Sequence, residues 1–474
     1  MDHSASTRRH AAFAGHIGIA HSDITPPIGI YHRNWGAAKQ DTANDIHHSV
    51  TLNVVALQQQ EDDNSPLILL EADLGWWRPM SLFESFRDRL LAEINLAPER
   101  FIFSLTHTHA APPLMETDET LPGSELLAPW LEQIHENAVE AIEFALESME
   151  PAVLEWHTGR CNLAAQRDLP DPAAATDRLI CGYNPSGVAD DTLLVGRITN
   201  SAGQVKGVLV NYACHPTTLA WQNDCISPDY IGALRQVVKE TVSSETALIF
   251  LQGMSGDLAP KVQYSGDTSL ADRHGRQLGY AVLATLEDMH PPVTQLEFEG
   301  VMESGAPLAV WSEKPLDRSA IDRTLAAVIA PAELKLKDWP TAAELEVQRQ
   351  ACSDRTLEER LRRKRDIRRS LGDGASAVLP VYAWRIGDAG LIGTAGEAYS
   401  QLQQHLRTQF SDMPVVAMNL INGSIGYLPP AELYDVDVYP VWQTPFDRGC
   451  LEQVERVMTD AIQQLFDSTP AATR

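Results

Sequence analysis

Short apolar runs alternate with longer amphipathic runs along most of this chain, and this alternation limits the fold more than any other feature. Runs rich in β-branched or aromatic residues, typical of strands, occupy residues 50–57, 66–70, 101–105, 206–212 and 247–251. Residues 127–148 and 230–240 instead carry apolar side chains at the three-to-four spacing of helices. The pattern predicts an α/β fold in which a mixed β-sheet core is flanked by helices.

Residues 313–374 interrupt the alternation. They are dense in Glu, Lys and Arg, have helical periodicity and contain Pro331 and Pro340, so they predict a helical insertion near 313–374. The basic stretch 360–369 within it is interpreted as a solvated helix face. Strand-like runs resume at 378–386, 390–394 and 415–421, where we expect the chain to return to the same sheet system.

The length of 474 residues allows two or three domains, and a single domain with an insertion is also permitted. Residues 1–14 contain no apolar stretch of the kind that a secretory signal has, and we expect them to be a disordered leader. No window approaches the roughly 18 consecutive apolar residues of a membrane span. We therefore expect a soluble, cytoplasmic protein.

Charge and cysteine usage exclude several classes of function. The formal net charge of -27 would repel nucleic acid and anionic bilayers, so neither is an expected partner. The six cysteines are scattered and form no C-x-x-C pair, which argues against a disulfide framework and against a thiolate zinc site. Reduced thiols in a cytosolic protein agree best with this pattern.

Two histidines follow one of the predicted strands directly. Thr106-His107-Thr108-His109 comes after the run at 101–105 and before a turn with two prolines. Alternation along an extended chain would place both imidazoles on one face. There they could ligate one ion together, or one could ligate while the other works beside it. A structural or incidental pair agrees with this motif equally well.

Other chemically capable residues also stand at strand ends, where functional loops collect. His215 closes the run at 207–214, although a turn histidine with a hydrogen-bonded ring is an equal alternative. The loop QGMSGDLAP at 252–260 lacks the lysine of a phosphate loop, and a tight turn is its simpler interpretation. Glu397 and Tyr427 follow the runs at 390–394 and 415–421, and each alone is only a weak indication.

In combination, and in their order along the chain, these motifs resemble the landmarks of the neutral (non-lysosomal) ceramidase catalytic domain. They are SDITPP at 22–27, THTH at 106–109, ACHPTT at 213–218, SPDYIG at 227–232, QGMSGDLAP at 252–260, GE at 396–397 and GYLP at 426–429. The resemblance spans roughly residues 15–465 and implies that they form one catalytic domain.

The resemblance implies one catalytic zinc ion per chain. Matched motif by motif, its ligands would be His107, His215, Glu397 and Tyr427. His109 would stay off the metal as a catalytic group, the Tyr427 hydroxyl would help to stabilise the transition state, and Arg167 would be a polar contact to the substrate. Asp73, at the end of a predicted strand, is expected to orient a ligand histidine.

Two imidazoles and a carboxylate leave a zinc ion with positive charge and room for water, as a catalytic site requires. The implied activity is that of a zinc-dependent amidohydrolase of lipid and sphingolipid metabolism. It would cleave the amide of a ceramide-like or other N-acyl substrate with metal-activated water. His109 is the expected proton donor to the leaving amine, because histidine titrates in the working range of pH.

The chain also departs from the family pattern. Ala259 replaces the serine that the family carries in its glycine-rich loop, which excludes a serine acyl-enzyme at this position. Ala110-Ala111-Pro112-Pro113 replaces the usual Ser-Gly-Pro-Gly and implies a stiffer, more apolar substrate mouth. No C-terminal β-sandwich domain, such as longer family members have, is expected after the catalytic domain.

Two alternatives to an amidase stay open. An esterase or lactonase would use the same residues, since metal-activated water attacks all of these bonds. A fold-mate that has lost catalysis and only binds a ligand would agree with Ala259 and with the altered mouth. For the amidase the expected partner is a small-molecule or lipid-like N-acyl compound, of which ceramide is one candidate, and for the esterase or lactonase it is an ester or lactone of similar shape.

Overall fold

The computed structural model describes residues 7–60, 65–174 and 176–467. Its strands are β1 (Thr7–Arg9), β2 (Ala11–Asp23), β3 (Asp45–Ile46), β4 (Thr51–Gln58), β5 (Leu67–Ala72), β6 (Trp77–Arg78), β7 (Phe101–Leu105), β8 (Leu114–Met115), β9 (Glu150–Arg160), β10 (Ala164–Gln166), β11 (Asp168–Pro170), β12 (Leu179–Cys181), β13 (Thr192–Asn200), β14 (Val205–Tyr212), β15 (Cys225–Ile226), β16 (Ala247–Gln252), β17 (Leu258–Pro260), β18 (Thr294–Glu303), β19 (Pro307–Pro315), β20 (Leu325–Lys335), β21 (Ser376–Ile386), β22 (Ala389–Thr394), β23 (Glu397–Ala398), β24 (Val415–Met418) and β25 (Tyr427–Leu428). Its α-helices are α1 (Met80–Ile94), α2 (Leu127–Glu147), α3 (Tyr230–Thr241), α4 (Thr268–Asp288), α5 (Ala342–Gln350), α6 (Arg355–Leu371), α7 (Ser400–Gln409), α8 (Tyr439–Gln443) and α9 (Cys450–Asp467).

The largest sheet has the strand order β16-β14-β13-β9-β2-β4-β5-β7. Its outer pairs, β14 with β16 and β5 with β7, are parallel. The pairs between them are antiparallel, so the sheet is mixed, as the sequence predicted. A parallel pair needs a crossover connection, and α3 and α1 supply the two that this sheet requires.

A second sheet, of order β20-β21-β22-β24, packs face to face on the first. Side chains alternate between the two faces of a strand, and the buried clusters follow that alternation. Val55 of β4 and Trp384 of β21 belong to one cluster between the sheets. Val54 joins the buried residues of α1 and α2, whereas Val381 joins those of α7 and α9. The molecule is therefore layered as helices, large sheet, second sheet and helices.

Helix α3 forms where the sequence places both a start signal and an apolar stripe. Asp229 precedes the helix, and its side chain accepts a hydrogen bond from the Tyr230 backbone N–H. Ile231, Leu234 and Val238 are buried at three-to-four spacing against the large sheet. The observed bounds of α3 and α2 agree with the predicted ranges 230–240 and 127–148 to within one residue.

The predicted disordered leader over residues 1–14 was wrong for the part that the structure describes. Residues 1–6 lie outside the described residues, but Thr7–Arg9 forms β1, and β2 starts at Ala11. β2 pairs with β4 and β9 inside the large sheet, and Phe13 is fully buried. A few small apolar residues are too weak a local signal for a strand, and long-range pairing stabilises this one.

The helical insertion near 313–374 is present but shorter than predicted, because its α-helices are only α5 and α6, with a short 3-10 helix at Arg318–Ala320. Residues 325–335 form β20 at the edge of the second sheet, and β19 covers Pro307–Pro315. An edge strand is half-exposed and carries charged side chains, so its composition resembled that of the helices beside it. β24 also ends earlier than predicted, at Met418.

Two predicted absences concern the whole chain. Within the described ranges, no helix has the length and apolarity needed to cross a membrane. All six cysteines are free thiols, in agreement with their scattered positions. The single catalytic domain over residues 15–465 stays a prediction.

Candidate metal centre

The predicted site residues follow strands of both sheets. His107 comes after β7 and His215 after β14, both in the large sheet. Glu397 comes after β22 and Tyr427 after β24, both in the second sheet. β23 pairs in parallel with β25, and this pairing places Glu397 opposite Tyr427. The four residues therefore meet at the junction of the two sheets.

A turn, rather than the predicted strand alternation, brings the two histidines of the THTH motif together. β7 ends at Leu105, and His107 has a left-handed backbone with a φ of 68°. The backbone N–H of His107 donates to the carbonyl of Leu74 at 2.9 Å, which fixes this turn. The ring centroids of His107 and His109 lie 4.8 Å apart. The alternation argument was wrong because the strand stops before the motif begins.

Three donor atoms converge on one point. The Nε2 atoms of His107 and His215 lie 3.2 Å apart. Glu397 Oε2 lies 3.4 Å from His107 Nε2 and 3.1 Å from His215 Nε2. Ligands arranged tetrahedrally at about 2.0–2.1 Å from a zinc ion lie about 3.3–3.4 Å from one another. The three separations are close to the edges of such a shell.

Backbone carbonyls decide which ring nitrogens face this point. His107 Nδ1 lies 3.0 Å from the Gly75 oxygen, and His215 Nδ1 lies 2.7 Å from the Ser255 oxygen. A carbonyl only accepts, so each Nδ1 carries the proton and each Nε2 presents a lone pair. Two lone pairs and a carboxylate oxygen at these distances repel one another unless a cation lies between them. The donor set therefore suits a divalent cation such as zinc.

The surroundings of two of these groups give them the protonation states that a cation requires. Burial lowers the pKa of His215 to about 3, and the positive charge of Arg167 acts in the same direction. Burial disfavours the charged form of Glu397, but the contacts with His107 and His215 outweigh it and hold the pKa of this carboxyl well below its usual value. At neutral pH His215 is neutral and Glu397 is ionised.

Arg167 holds the Tyr427 hydroxyl group in place. Its Nη2 donates to Tyr427 Oη at 3.0 Å and to the Gly256 carbonyl at 2.8 Å. Its Nε donates to the same carbonyl at 3.2 Å. Both side chains are buried, and the guanidinium lies 5.6 Å from the centroid of the Tyr427 ring. The direct partner of Arg167 is thus the protein's own phenol.

His109 lies next to the three donor atoms. Its Nε2 is 3.4 Å from His107 Nε2, and the ligand atoms of His107, His109 and His215 all lie within 4.8 Å of one another. In the described part of the chain no carbonyl holds its Nδ1, and its ring packs against Trp35 and Trp76 at centroid distances of 5.2 and 4.8 Å. Burial, reinforced by the neighbouring imidazoles, lowers its pKa well below the usual value. This shift favours the neutral imidazole, and proton transfer by His109 in the working range of pH stays a prediction.

Comparison with known proteins places this geometry in a known fold. No protein-family model and no curated protein matches the chain in sequence. Solved structures that match its fold include a ceramidase complexed with C2, at a TM-score of 0.67 and 15% identity, and neutral ceramidase from Pseudomonas aeruginosa, at a TM-score of 0.67 and 16% identity. Each match covers 98% of this chain and 76% of the other.

The chain has the neutral ceramidase fold. The family resemblance found in the motifs and the predicted fold class are both confirmed at this level. Sequence identity of 15–16% carries the backbone architecture and no more. The chemistry of this ceramidase fold therefore has to be argued from the residues that line its site.

A cleft opens beside the candidate metal centre, and the space inside it together with the open solvent at its mouth amounts to about 600 Å³. It is lined by Trp76, Trp77, Arg78, Pro79, His107, His109, Arg363, Asp366, Ile367, Ser370, Glu397, Ser424, Gly426, Tyr427, Tyr439 and Gln443. Histidines and Glu397 form one part of the wall, and aromatic and arginine side chains form another. The candidate metal centre is therefore reachable by a small substrate.

Helix α6 supplies a cleft wall that the sequence did not reveal. The stretch 360–369 was interpreted as a solvated face, but Arg362, Asp366 and Arg368 are buried and Arg363 lines the cleft. Charge-rich helices usually face solvent, and only the tertiary packing of α6 turns this one inward. The ion pairs of the helix with Glu346, Glu358 and other acids make that burial possible.

Asp73 does not orient a ligand histidine as predicted. Its Oδ2 accepts hydrogen bonds from the Thr51 backbone N–H at 2.9 Å and from Arg235 Nη1 at 2.5 Å. Arg235 Nη2 also pairs with Glu71 at 2.7 Å. The backbone carbonyl of Gly75, two residues further on, holds the His107 ring instead. A backbone acceptor leaves no mark in the sequence, which is why the carboxylate was the visible candidate.

The ceramidase fold of this chain holds a second group of potential metal ligands. His47 Nε2 and His48 Nε2 lie 3.1 and 2.9 Å from the same oxygen of Asp272. His47 Nδ1 lies 3.0 Å from the Ser227 hydroxyl oxygen. All three ligand side chains are half-buried rather than buried. Hydrogen-bond contacts of the two histidines with Asp272 explain this group without a metal ion.

Proposed function

We propose that this protein is a zinc-dependent hydrolase that cleaves the amide bond of a ceramide-like or other N-acyl substrate. The observation that carries the proposal is the convergence of two imidazole Nε2 atoms and one carboxylate oxygen within 3.4 Å of one another, with both rings held by backbone carbonyls. The fold adds support, since both matched structures are ceramidases.

In this proposal His107, His215, Glu397 and Tyr427 would hold one zinc ion per chain, and the pairing of β23 with β25 places Tyr427 opposite Glu397. Such an ion polarises a carbonyl group and activates water for attack. Arg167 positions the Tyr427 hydroxyl through the 3.0 Å hydrogen bond, so that the phenol can act on the carbonyl oxygen of the substrate. Arg167 thus acts through Tyr427, as a positioning residue.

His109 moves the proton. A neutral imidazole accepts the proton of the attacking water and then donates it to the leaving amine, which needs a proton to depart. The position of His109 Nε2, 3.4 Å from His107 Nε2, supports this role, because the ring lies beside the donor atoms. The indoles of Trp35 and Trp76 pack against the ring and limit its movement. Ala259 takes no part, since it is buried in β17 and has no nucleophile.

A substrate panel tests the proposal. Purified protein loaded with zinc is incubated with N-acyl amides, matched esters and lactones, with and without chelator. We expect amide cleavage that chelator abolishes and zinc restores. Faster cleavage of the esters or lactones favours the alternative of an esterase on the same site. Absence of any hydrolysis together with absence of bound zinc favours a fold-mate that only binds a ligand.

We also propose that the enzyme works in the cytoplasm. The free thiols and the formal net charge of -27 support this location, because both are typical of proteins in a reducing compartment away from anionic bilayers. Fractionation of the source cells tests it. Recovery of the protein with membranes or in the medium would count against this location.

A further inference from the structure

One wall of the cleft carries two guanidinium groups around an indole ring. The Cζ atoms of Arg78 and Arg363 lie 4.8 and 5.1 Å from the centroid of the Trp76 ring. The same ring lies 4.8 Å from the centroid of His109. Both positive charges therefore stand beside the candidate metal centre, and all three side chains line the cleft. We call Arg78, Trp76 and Arg363 the arginine wall.

The two arginines share a single carboxylate. Glu359 Oε1 accepts hydrogen bonds from Arg78 Nη1 and from Arg363 Nε, each at 2.9 Å. Asp366, another acid on the cleft, is bound by Arg365 at 2.8 Å. Asp366 also attracts Arg78, but in direct hydrogen bonds the two guanidinium groups of the arginine wall share the single carboxylate of Glu359. Such a pair of guanidinium groups on a cleft can bind an additional anion.

The arginine wall also holds hydrogen-bond donors without acceptors. Arg78 is only 5% exposed, and within the described residues its Nε and Nη2 have no hydrogen-bond partner. These two nitrogens form one edge of the guanidinium, the arrangement that binds a carboxylate through two parallel hydrogen bonds. Arg363, by contrast, donates from Nε to Glu359 and from Nη2 to the Asn34 carbonyl. Unpaired buried donors are unfavourable unless a ligand satisfies them.

We propose that the substrate carries a carboxylate, which binds the arginine wall while the amide lies at the candidate metal centre. N-acyl amino acids are the simplest compounds of this class, because their carboxylate lies one carbon from the amide nitrogen. Ceramide is uncharged and would leave the arginine wall unsatisfied. Cleavage of the amide of such a substrate rests on the proposed function. Binding of its carboxylate rests on the arginine wall alone.

A binding measurement tests carboxylate binding separately from amide cleavage. In metal-free protein, a carboxylate cannot bind through the metal, so any selective effect has to come from side chains. We expect N-decanoylglycine to raise the melting temperature of the chelated protein more than uncharged N-decanoylethanolamine does. Equal shifts, or none from either compound, would overturn the carboxylate proposal without touching the proposed hydrolysis.

A kinetic measurement on the zinc-loaded protein uses the same pair of compounds, together with N-decylsuccinamate, whose carboxylate is on the acyl side. We expect kcat/KM for one of the two carboxylates to exceed that for N-decanoylethanolamine by about 10- to 100-fold, the range for a hydrogen bond to a charged group. Cleavage of the uncharged amide at an equal or higher rate contradicts the proposal. If none of the three is cleaved, the proposed hydrolysis fails, and the binding measurement still decides the carboxylate.

Variants of α6 assign the effect to the arginine wall. In Arg363→Gln the preference for the carboxylate should shrink at least about tenfold, mainly through KM, and Arg363→Lys should recover part of it by restoring the charge without the fork. The control is Arg369→Gln on the same helix, whose side chain is 46% exposed. It should keep the wild-type preference. An unchanged preference in Arg363→Gln would show that the arginines only form an internal ion-pair network.

Discussion

At the scale of the residue, the candidate site depends on atoms of two kinds, side-chain donors and the backbone carbonyls that orient them. His107 and His215 each donate from Nδ1 to a carbonyl, and this leaves both Nε2 atoms bare toward Glu397. Because the carbonyls belong to the backbone, a substitution cannot remove them. It can change this arrangement only by altering the histidine rings or the residues next to them.

The first prediction concerns the zinc content of the purified protein. His215→Ala removes one donor and should lower bound zinc from about one ion per chain to a small fraction of that, with loss of amide cleavage by more than about 100-fold. Elemental analysis after dialysis measures it. The matched control is His48→Ala in the second histidine group, which should keep the full zinc content. Loss of zinc in His48→Ala but not in His215→Ala would show that the zinc ion binds the second histidine group instead of the candidate metal centre.

The second prediction concerns the Tyr427 hydroxyl. Arg167→Met removes the donor at 3.0 Å and should lower kcat by about 10- to 100-fold while zinc stays bound, because no proposed ligand is lost. Steady-state kinetics together with elemental analysis measure both. The exposed Arg160, replaced by Gln, serves as the control. Wild-type kcat in Arg167→Met would exclude the positioning role.

Residue identities at the centre were predictable, whereas their supports were not. The motifs singled out His107, His215, Glu397 and Tyr427, and the structure brings all four to one place. The carbonyl of Gly75 and the left-handed turn at His107 could not be predicted, since neither depends on a side chain that marks the sequence. Asp73 was misjudged for the same reason.

At the scale of the element, helix termini and charged faces explain where sequence patterns succeeded and failed. Helix α3 begins at a recognisable cap, and its bounds were predicted almost to the residue. Helix α6 has equally clear helical periodicity, yet its environment was misjudged, because a charged face is turned inward only by contacts with distant segments. Local signals therefore define an element better than they define its burial.

The third prediction concerns the cap of α3 and the pH dependence of stability. Burial raises the pKa of Asp229 to about 6, although its oxygens accept hydrogen bonds from the Tyr230 and Leu219 backbone N–H groups. A raised folded-state pKa gives stability that is present below the unfolded-state value and is lost as pH rises toward and through about 6. Between pH 4 and 7.5, Asp229→Asn should therefore lose less stability than wild type, by an amount on the order of 1–3 kcal/mol.

Urea unfolding at the two pH values measures this difference. The control is Asp267→Asn at the cap of α4, where the hydrogen bond from Ser269 holds the pKa of Asp267 below its usual value. Its stabilising effect is present at neutral pH and is lost as pH falls, so the control should change the slope in the opposite direction. Equal slopes in Asp229→Asn and wild type would contradict the prediction.

At the scale of the whole molecule, the layered architecture followed from the sequence only in part. Alternating apolar runs predicted the strands and the helices that cover them. The stacking of one sheet on the other could not be predicted, because Val55 and Trp384 meet across hundreds of residues of intervening chain. That stacking nevertheless creates the site, since each sheet contributes part of the donor set.

The fourth prediction follows from this shared position. An ion held by residues of both sheets joins them, so its removal should destabilise the whole protein; zinc at 100 times its dissociation constant stabilises by about 2.7 kcal/mol. We expect chelation to lower the melting temperature by several degrees and zinc to restore it. His215→Ala should melt at the lower temperature and respond to neither treatment. If the melting temperature of the wild type does not depend on zinc, the ion does not stabilise the packing of the two sheets.

The donor groups are also widely spaced along the chain. His107 and His215 are separated by 108 residues, and His215 and Glu397 by a further 182. During synthesis the ribosome has to release both histidines long before Glu397 exists, so a nascent chain cannot capture the ion with all three. The time course of zinc binding should therefore follow a late step of folding. A fluorescent zinc indicator would show when the segment that contains Glu397 packs against the segments that contain the two histidines.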